Sequence, residues 1–151
     1  ERATLEGPRH CAVQAAAANL KVSLTHRDYA KRVQLVTGHS REGKLPDTLD
    51  WRALADPRAT TAVYMAQRTL AEMCAKLIAA GLPASTPAIA TFNLTRADAR
   101  NIAGDIGSLP GQLESAGVAG PCLVLIGQVL GREGGEAGEP VHETLVNPEK
   151  A

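Results

Sequence analysis

The sequence predicts an α/β domain of three layers, in which a mixed, mostly parallel sheet of about five strands is flanked by helices. Three observations predict it. Short apolar, β-branched runs alternate with stretches of helical character. One of those stretches carries an unbroken apolar stripe at helical spacing. Of the 151 residues 44% are hydrophobic but only 3% are aromatic, so the core rests on Ala, Val, Leu and Ile. A chain of this length makes one domain, burying about two thirds of the surface its unfolded form exposes.

Ala12–Leu20 is alanine-rich and favours helix, because alanine loses no side-chain entropy there. Val33–Thr37 is a short β-branched strand that stops at Gly38. Gly43–Pro46 is a turn-rich loop, and Asp50–Ala55 forms a helical turn around Trp51. Thr60–Met65 reads as a buried strand. The clearest helix opens at Thr69 and runs to Ala80. Thr69 and Glu72 have the spacing of a capping box, and Leu70, Met73, Cys74, Leu77 and Ile78 form the apolar stripe. Gly81 is placed for a left-handed cap, and Pro83 bars continuation. Ala88–Phe92 is another strand. Arg100–Ile106 is a weaker one, whose Gly104 and Asp105 suit an edge or a hairpin. Leu109–Ala116 is a short helix ending near Gly117, and Cys122–Ile126 is a wholly apolar strand closing at Gly127. Residues 1–130 read as the folded domain, and the Gly- and Glu-rich stretch 131–151 as a flexible tail.

Composition excludes several functions. Net charge is zero and no basic stripe is interleaved with aromatics, so nucleic acid is not an expected partner. The longest apolar runs are too short to cross a bilayer, and the first residues hold no signal-peptide core, so a cytoplasmic protein without a membrane partner is expected. Cys11, Cys74 and Cys122 are scattered, and His10, His26, His39 and His142 have no ligand spacing. A reduced compartment and no metal follow.

Ligands of open α/β sheets collect at the carboxyl ends of strands. That rule selects Gly38-His39, Tyr64-Met65-Ala66-Gln67-Arg68, Asn93-Leu94-Thr95 and Gly127-Gln128. Arg27, Lys31 and Arg32 form a basic cluster that suits a ligand with several carboxylates, because guanidinium forks bind them bidentately. The plainer reading of that cluster is a solvated helix face; of Met65, a core residue; of His26 and His39, turn or capping residues. No Ser-His-Asp grouping, Walker loop or dinucleotide fingerprint is present. By the residues alone, the chemistry of the crevice stays open.

Leu24-Thr25-His26-Arg27-Asp28-Tyr29-Ala30, followed by Val33-Gln34-Leu35-Val36-Thr37-Gly38-His39, resembles the L-T-H-R-D-Y-A…V-T-G-H signature of uroporphyrinogen-III C-methyltransferases. The same domain occurs in multifunctional sirohaem synthases. Collinear matches follow at Leu49-Asp50-Trp51, Val63-Tyr64-Met65 and Leu125-Ile126-Gly127-Gln128-Val129, so the resemblance runs from Ala12 to Leu130. It implies the C-terminal half of a tetrapyrrole methylase that uses S-adenosyl-L-methionine, leaves S-adenosyl-L-homocysteine, and turns uroporphyrinogen III into precorrin-2 for sirohaem or cobalamin. A homodimer is also implied.

Further implications attach to single residues. Met65 is similar in place to the family's cofactor-contacting methionine, Cys11-Ala12 to its Thr-Ala pair, and Leu94 to the glycine of E-N-G-T. Arg27 is similar in place to an arginine that holds substrate carboxylates. The catalytic carboxylate is expected on a first, N-terminal domain that this sequence lacks, and Tyr64-Met65-Ala66 replaces Y-M-G. The resemblance thus implies an enzyme half inactive by itself. The alternative is a truncated relative that serves folding or dimerisation without catalysis.

Overall fold

A computed structural model of the chain describes residues 11–131. The tail expected at 131–151 lies outside the described residues except for Gly131, which closes a 3-10 turn, Gln128–Gly131. The helices are α1 (Ala12–Leu20), α2 (Trp51–Leu54), α3 (Leu70–Ala79) and α4 (Leu109–Ala116). The strands are β1 (Arg32–Thr37), β2 (Ala59–Tyr64), β3 (Pro87–Phe92), β4 (Arg100–Asp105) and β5 (Cys122–Ile126). They form one sheet in the order β1-β2-β5-β3-β4.

The sheet is mixed and five-stranded as expected, but it is not mostly parallel. Only β1 and β2 pair in parallel; β2–β5, β5–β3 and β3–β4 are antiparallel. The rule that a helix crossover joins parallel strands does hold along the chain, for β1–α2–β2, β2–α3–β3 and β4–α4–β5. Among the described strands the direction reverses once, at the β3–β4 hairpin. β5 then enters the gap between β2 and β3 running the opposite way.

Alternate residues of β5 divide the core. Val124 and Ile126 meet Leu70, Met73 and Leu77 of α3 on one face, while Leu123 and Leu125 meet Val13 and Ala16 of α1 on the other. Helices on both faces complete the three layers.

The α3 stripe packs as its spacing predicts. Leu70, Met73, Cys74 and Leu77 are buried, and Ile78 sits at the rim with 38% exposure. Leu82 N–H donates to Leu77 O at 3.0 Å and Gly81 N–H to Ile78 O at 3.0 Å, with Gly81 at φ +107°. That is the doubly bonded left-handed stop expected of Gly81.

The capping box does not form. Thr69 makes no side-chain cap bond at the helix start; its hydroxyl donates to the carbonyl of Gly38 instead. Glu72 turns along the helix to Lys76, 3.1 Å away.

Candidate functional site

Strands β1, β2 and β3 run the same way, so Gly38, Met65 and Asn93 follow their carboxyl ends at one edge of the sheet. Three of the four stretches selected from sequence therefore converge. The fourth does not. Because β5 is reversed, Gly127-Gln128 lies at the opposite edge, where Gly127 N–H donates to Pro87 O at 2.9 Å.

At the carboxyl edge β2 ends on Tyr64 and the chain turns sharply. Met65 takes a left-handed backbone, φ 53°, and is 58% exposed, so it is not the core residue its composition suggests. The start of α1 reaches the same point. Cys11, immediately before Ala12, places its sulfur 3.2 Å from the Tyr64 hydroxyl. Cys11 and Ala12 are both exposed.

The contact tunes both groups. The Tyr64 phenol and then the Val13 backbone hold the Cys11 thiol below its ordinary range. Burial and then the neighbouring thiol push Tyr64 above its own. Burial pushes Cys74 and Cys122 up to about 12, leaving them inert at neutral pH.

The β3 end contributes Asn93 (φ 49°) and Thr95 (φ 68°), both left-handed. Asn93 is fixed twice: its N–H donates to Pro121 O at 3.1 Å, and its amide donates to Asp98 at 2.8 Å. A Cβ at Gly120 would collide with the Asn93 side chain, so this approach requires glycine. Leu94 is half-buried and packs with Tyr64 against the α1-side core, which places it on the same face as Cys11.

Arg27 stands apart. It is exposed at the tip of a small loop closed by His26 N–H to Ala30 O at 2.8 Å and Ala30 N–H to His26 O at 3.0 Å. His26 is a turn residue, as its plain reading has it, with Nδ1 accepting from Asp28 N–H at 3.2 Å. The loop ends at Lys31, whose N–H donates to Arg58 O at 2.9 Å beside the amino ends of β1 and β2. A strand of six residues, roughly 20 Å, separates that edge from Met65. The basic cluster is also smaller than the spacing suggests, because Arg32 pairs with Asp56 at 2.9 Å and donates to Ala53 O at 3.3 Å.

A cleft of about 540 Å³ that Met65 does not line opens between α3 and α4, with walls from Gln67, Arg68, Leu70, Leu113, Glu114 and Val118. Gln67 bridges it, donating to Val118 O at 2.7 Å. Among the described residues no three His, Cys, Asp or Glu side chains could hold a metal, and no helix is long and apolar enough to cross a membrane.

Sequence reasoning overlooked Tyr64 as the partner of Cys11, and Asn93 as the fixed residue of its loop. Tyr64 carried a signal: an aromatic hydroxyl at a strand end in a chain with only two tyrosines.

Comparison with known proteins supplies the family. Residues 8–110 match the family model described as Tetrapyrrole (Corrin/Porphyrin) Methylases. A sirohaem synthase of Chromobacterium violaceum is 44% identical over 115 residues, covering 76% of this chain and 24% of that protein. An S-adenosyl-L-methionine-dependent uroporphyrinogen III methyltransferase of Arabidopsis thaliana, chloroplastic, is 37% identical over 123 residues, covering 82% of this chain and 33% of that one. Among solved structures, a cobalt precorrin-4 methyltransferase superposes with TM-score 0.70 at 23% identity, over 78% of this chain and 49% of that one. A uroporphyrin-III C-methyl transferase of Thermus thermophilus complexed with S-adenyl homocysteine superposes with TM-score 0.60 at 22% identity, over 77% and 49%. The chain spans about a quarter of the length of its sirohaem synthase relatives and about half of the solved chains. The match to the family model, which covers more than half of the sequence, and the collinear likeness to these relatives place the chain in the tetrapyrrole methylase family.

Proposed function

We propose that this chain is the C-terminal part of a uroporphyrinogen-III C-methyltransferase, and that its carboxyl edge is one wall of the crevice for S-adenosyl-L-methionine. The observation that carries the reading is Met65: a non-glycine residue in a left-handed turn, 58% exposed, beside the Cys11–Tyr64 contact. An apolar side chain displayed on a braced turn at a strand end suits a ligand face better than it suits solvent.

In this reading Met65, Cys11, Ala12 and Leu94 contact the cofactor. The sulfonium makes the methyl group electrophilic when it is bound. This chain's residues would help orient it toward the pyrrole carbon, and orientation of two reactants lowers the barrier to their reaction. Arg27 receives a substrate carboxylate.

The described residues supply one wall, and the relatives are two to four times longer than the matched region. We therefore assign the catalytic carboxylate to a preceding domain, and expect the 151 residues alone to bind cofactor weakly and not to methylate. Leu35, 57% exposed on the edge strand β1, suits burial by such a domain or by a second copy in a homodimer. Three free thiols suit a reducing, cytoplasmic compartment. The product serves sirohaem, or equally cobalamin.

The test is calorimetry with S-adenosylhomocysteine. Joining the chain behind the N-terminal methylase half of its Chromobacterium relative should give micromolar binding, abolished by Met65→Glu. A folded fusion that binds nothing would overturn the assignment.

A further inference from the structure

We propose that Thr69 and Gly38 form a latch that fixes the left-handed turn at Met65, and so act as positioning residues for the crevice. The proposal rests on the reading that Met65 faces the ligand, and adds what holds it there.

Met65 has φ 53°, a conformation in which an L-residue's Cβ crowds the following carbonyl. Such a residue persists where its surroundings fix the chain on both sides. Both sides are fixed here. Before Met65, the Tyr64 carbonyl accepts from Gly38 N–H at 2.8 Å. After it, the Ala66 carbonyl accepts from Thr69 N–H at 3.0 Å. One side chain joins the two anchors, because the Thr69 hydroxyl donates to the carbonyl of Gly38. Gly38 thus gives its N–H to one flank of Met65 and its carbonyl to the other.

The contact is closed to water. Thr69 is 5% exposed, Ala66 is fully buried and Gly38 is buried. A Cβ at Gly38 would lie 3.1 Å from Ala66 Cα and 3.1 Å from Val63 Cγ1, so the two chain segments pack tightly enough that an added methyl would shift them by a few tenths of an ångström. Nor is Thr69 at the start of α3 merely a cap. Its hydroxyl makes no cap bond and serves a residue 31 positions away.

The chain has two methionines, which makes the test selective. Met65 reports the crevice, and Met73, whose amide donates to the Thr69 carbonyl at 2.9 Å, reports whether the start of α3 stays intact. The full 151-residue chain, labelled with 15N-methionine, gives two amide signals whose heteronuclear NOEs measure fast backbone motion. Thr69→Val keeps the shape and removes the hydroxyl, leaving a buried carbonyl without its donor. The Met65 NOE should then fall to about half its wild-type value while that of Met73 is unchanged. Thr69→Ser should restore Met65.

Met65 unmoved in Thr69→Val, both methionines loosening together, or serine failing to restore Met65 would each overturn the latch. No ligand enters this measurement. Failure of the cofactor reading would instead appear as a fusion with an intact latch that does not bind S-adenosylhomocysteine.

Discussion

Cys11 and Tyr64, 53 residues apart in sequence, meet with 3.2 Å between sulfur and phenol oxygen. The contact ties the entrance of α1 to the end of β2, and it makes one of the three cysteines chemically different from the others.

Cys11 should therefore be alkylated first. It is exposed and its thiol is held below the ordinary range, whereas burial pushes Cys74 and Cys122 up to about 12. The sign follows from the donor. A phenol O–H stabilises the thiolate, so Tyr64→Phe should move the pH midpoint of Cys11 alkylation upward. Timed iodoacetamide labelling with peptide mass mapping reads it. Cys74 reacting as fast as Cys11 in the folded chain would contradict the geometry.

Two neighbours on α3 should differ sharply. Leu77 is fully buried and Ile78 is 38% exposed. Leu77→Ala should cost about 2–5 kcal/mol through lost transfer energy and the cavity left behind. Ile78→Ala should cost less than about 1 kcal/mol. Urea denaturation gives both values, and equal costs would mean that the stripe does not pack as described.

Two glycines should respond with opposite signs to alanine. A Cβ at Gly81 or at Gly111 meets nothing within 4 Å, but Gly81 has φ +107°. Gly81→Ala should destabilise by about 1 kcal/mol or more from backbone strain alone. Gly111→Ala, inside α4, should stabilise by about 0.5 kcal/mol. Thermal unfolding of the two variants separates them.

Arg27 and Arg32 should also part company. Arg32 is committed to Asp56 and Ala53 O, so Arg32→Ala should cost under about 1 kcal/mol of stability, as half-exposed ion pairs do. Arg27→Ala should leave stability unchanged and raise KM for the tetrapyrrole in the fused enzyme. An unchanged KM would remove Arg27 from the substrate contacts.

Most of the strands were legible as short apolar or β-branched runs, β4 being the polar exception, and each of the five lies within one residue of its predicted position at either end. Their order was not. Adjacency is decided by pairing between residues as far apart as Thr61 and Ile126, and nothing local encodes it. The same limit explains the individual errors. Spacing assigned the Thr69 hydroxyl to its own helix, but Gly38 competes for it through space. Spacing grouped Arg32 with Arg27, but Asp56 turns Arg32 aside. Met65 was selected by position rather than by pattern, since its exposure depends on a backbone turn that an apolar run does not reveal.

The place of β5 has a consequence for how the molecule is made. β1–β2 and β3–β4 are each a two-stranded piece, and the described sheet joins them only through β5. Two-stranded pieces are marginal in water by themselves. Until Ile126 has left the ribosome, the nascent chain holds two unjoined pieces with apolar flanks, and the long-range closure that follows is intrinsically slow. The described sheet can close only once β5, its last strand in sequence, is available, after all four described helices have already been made.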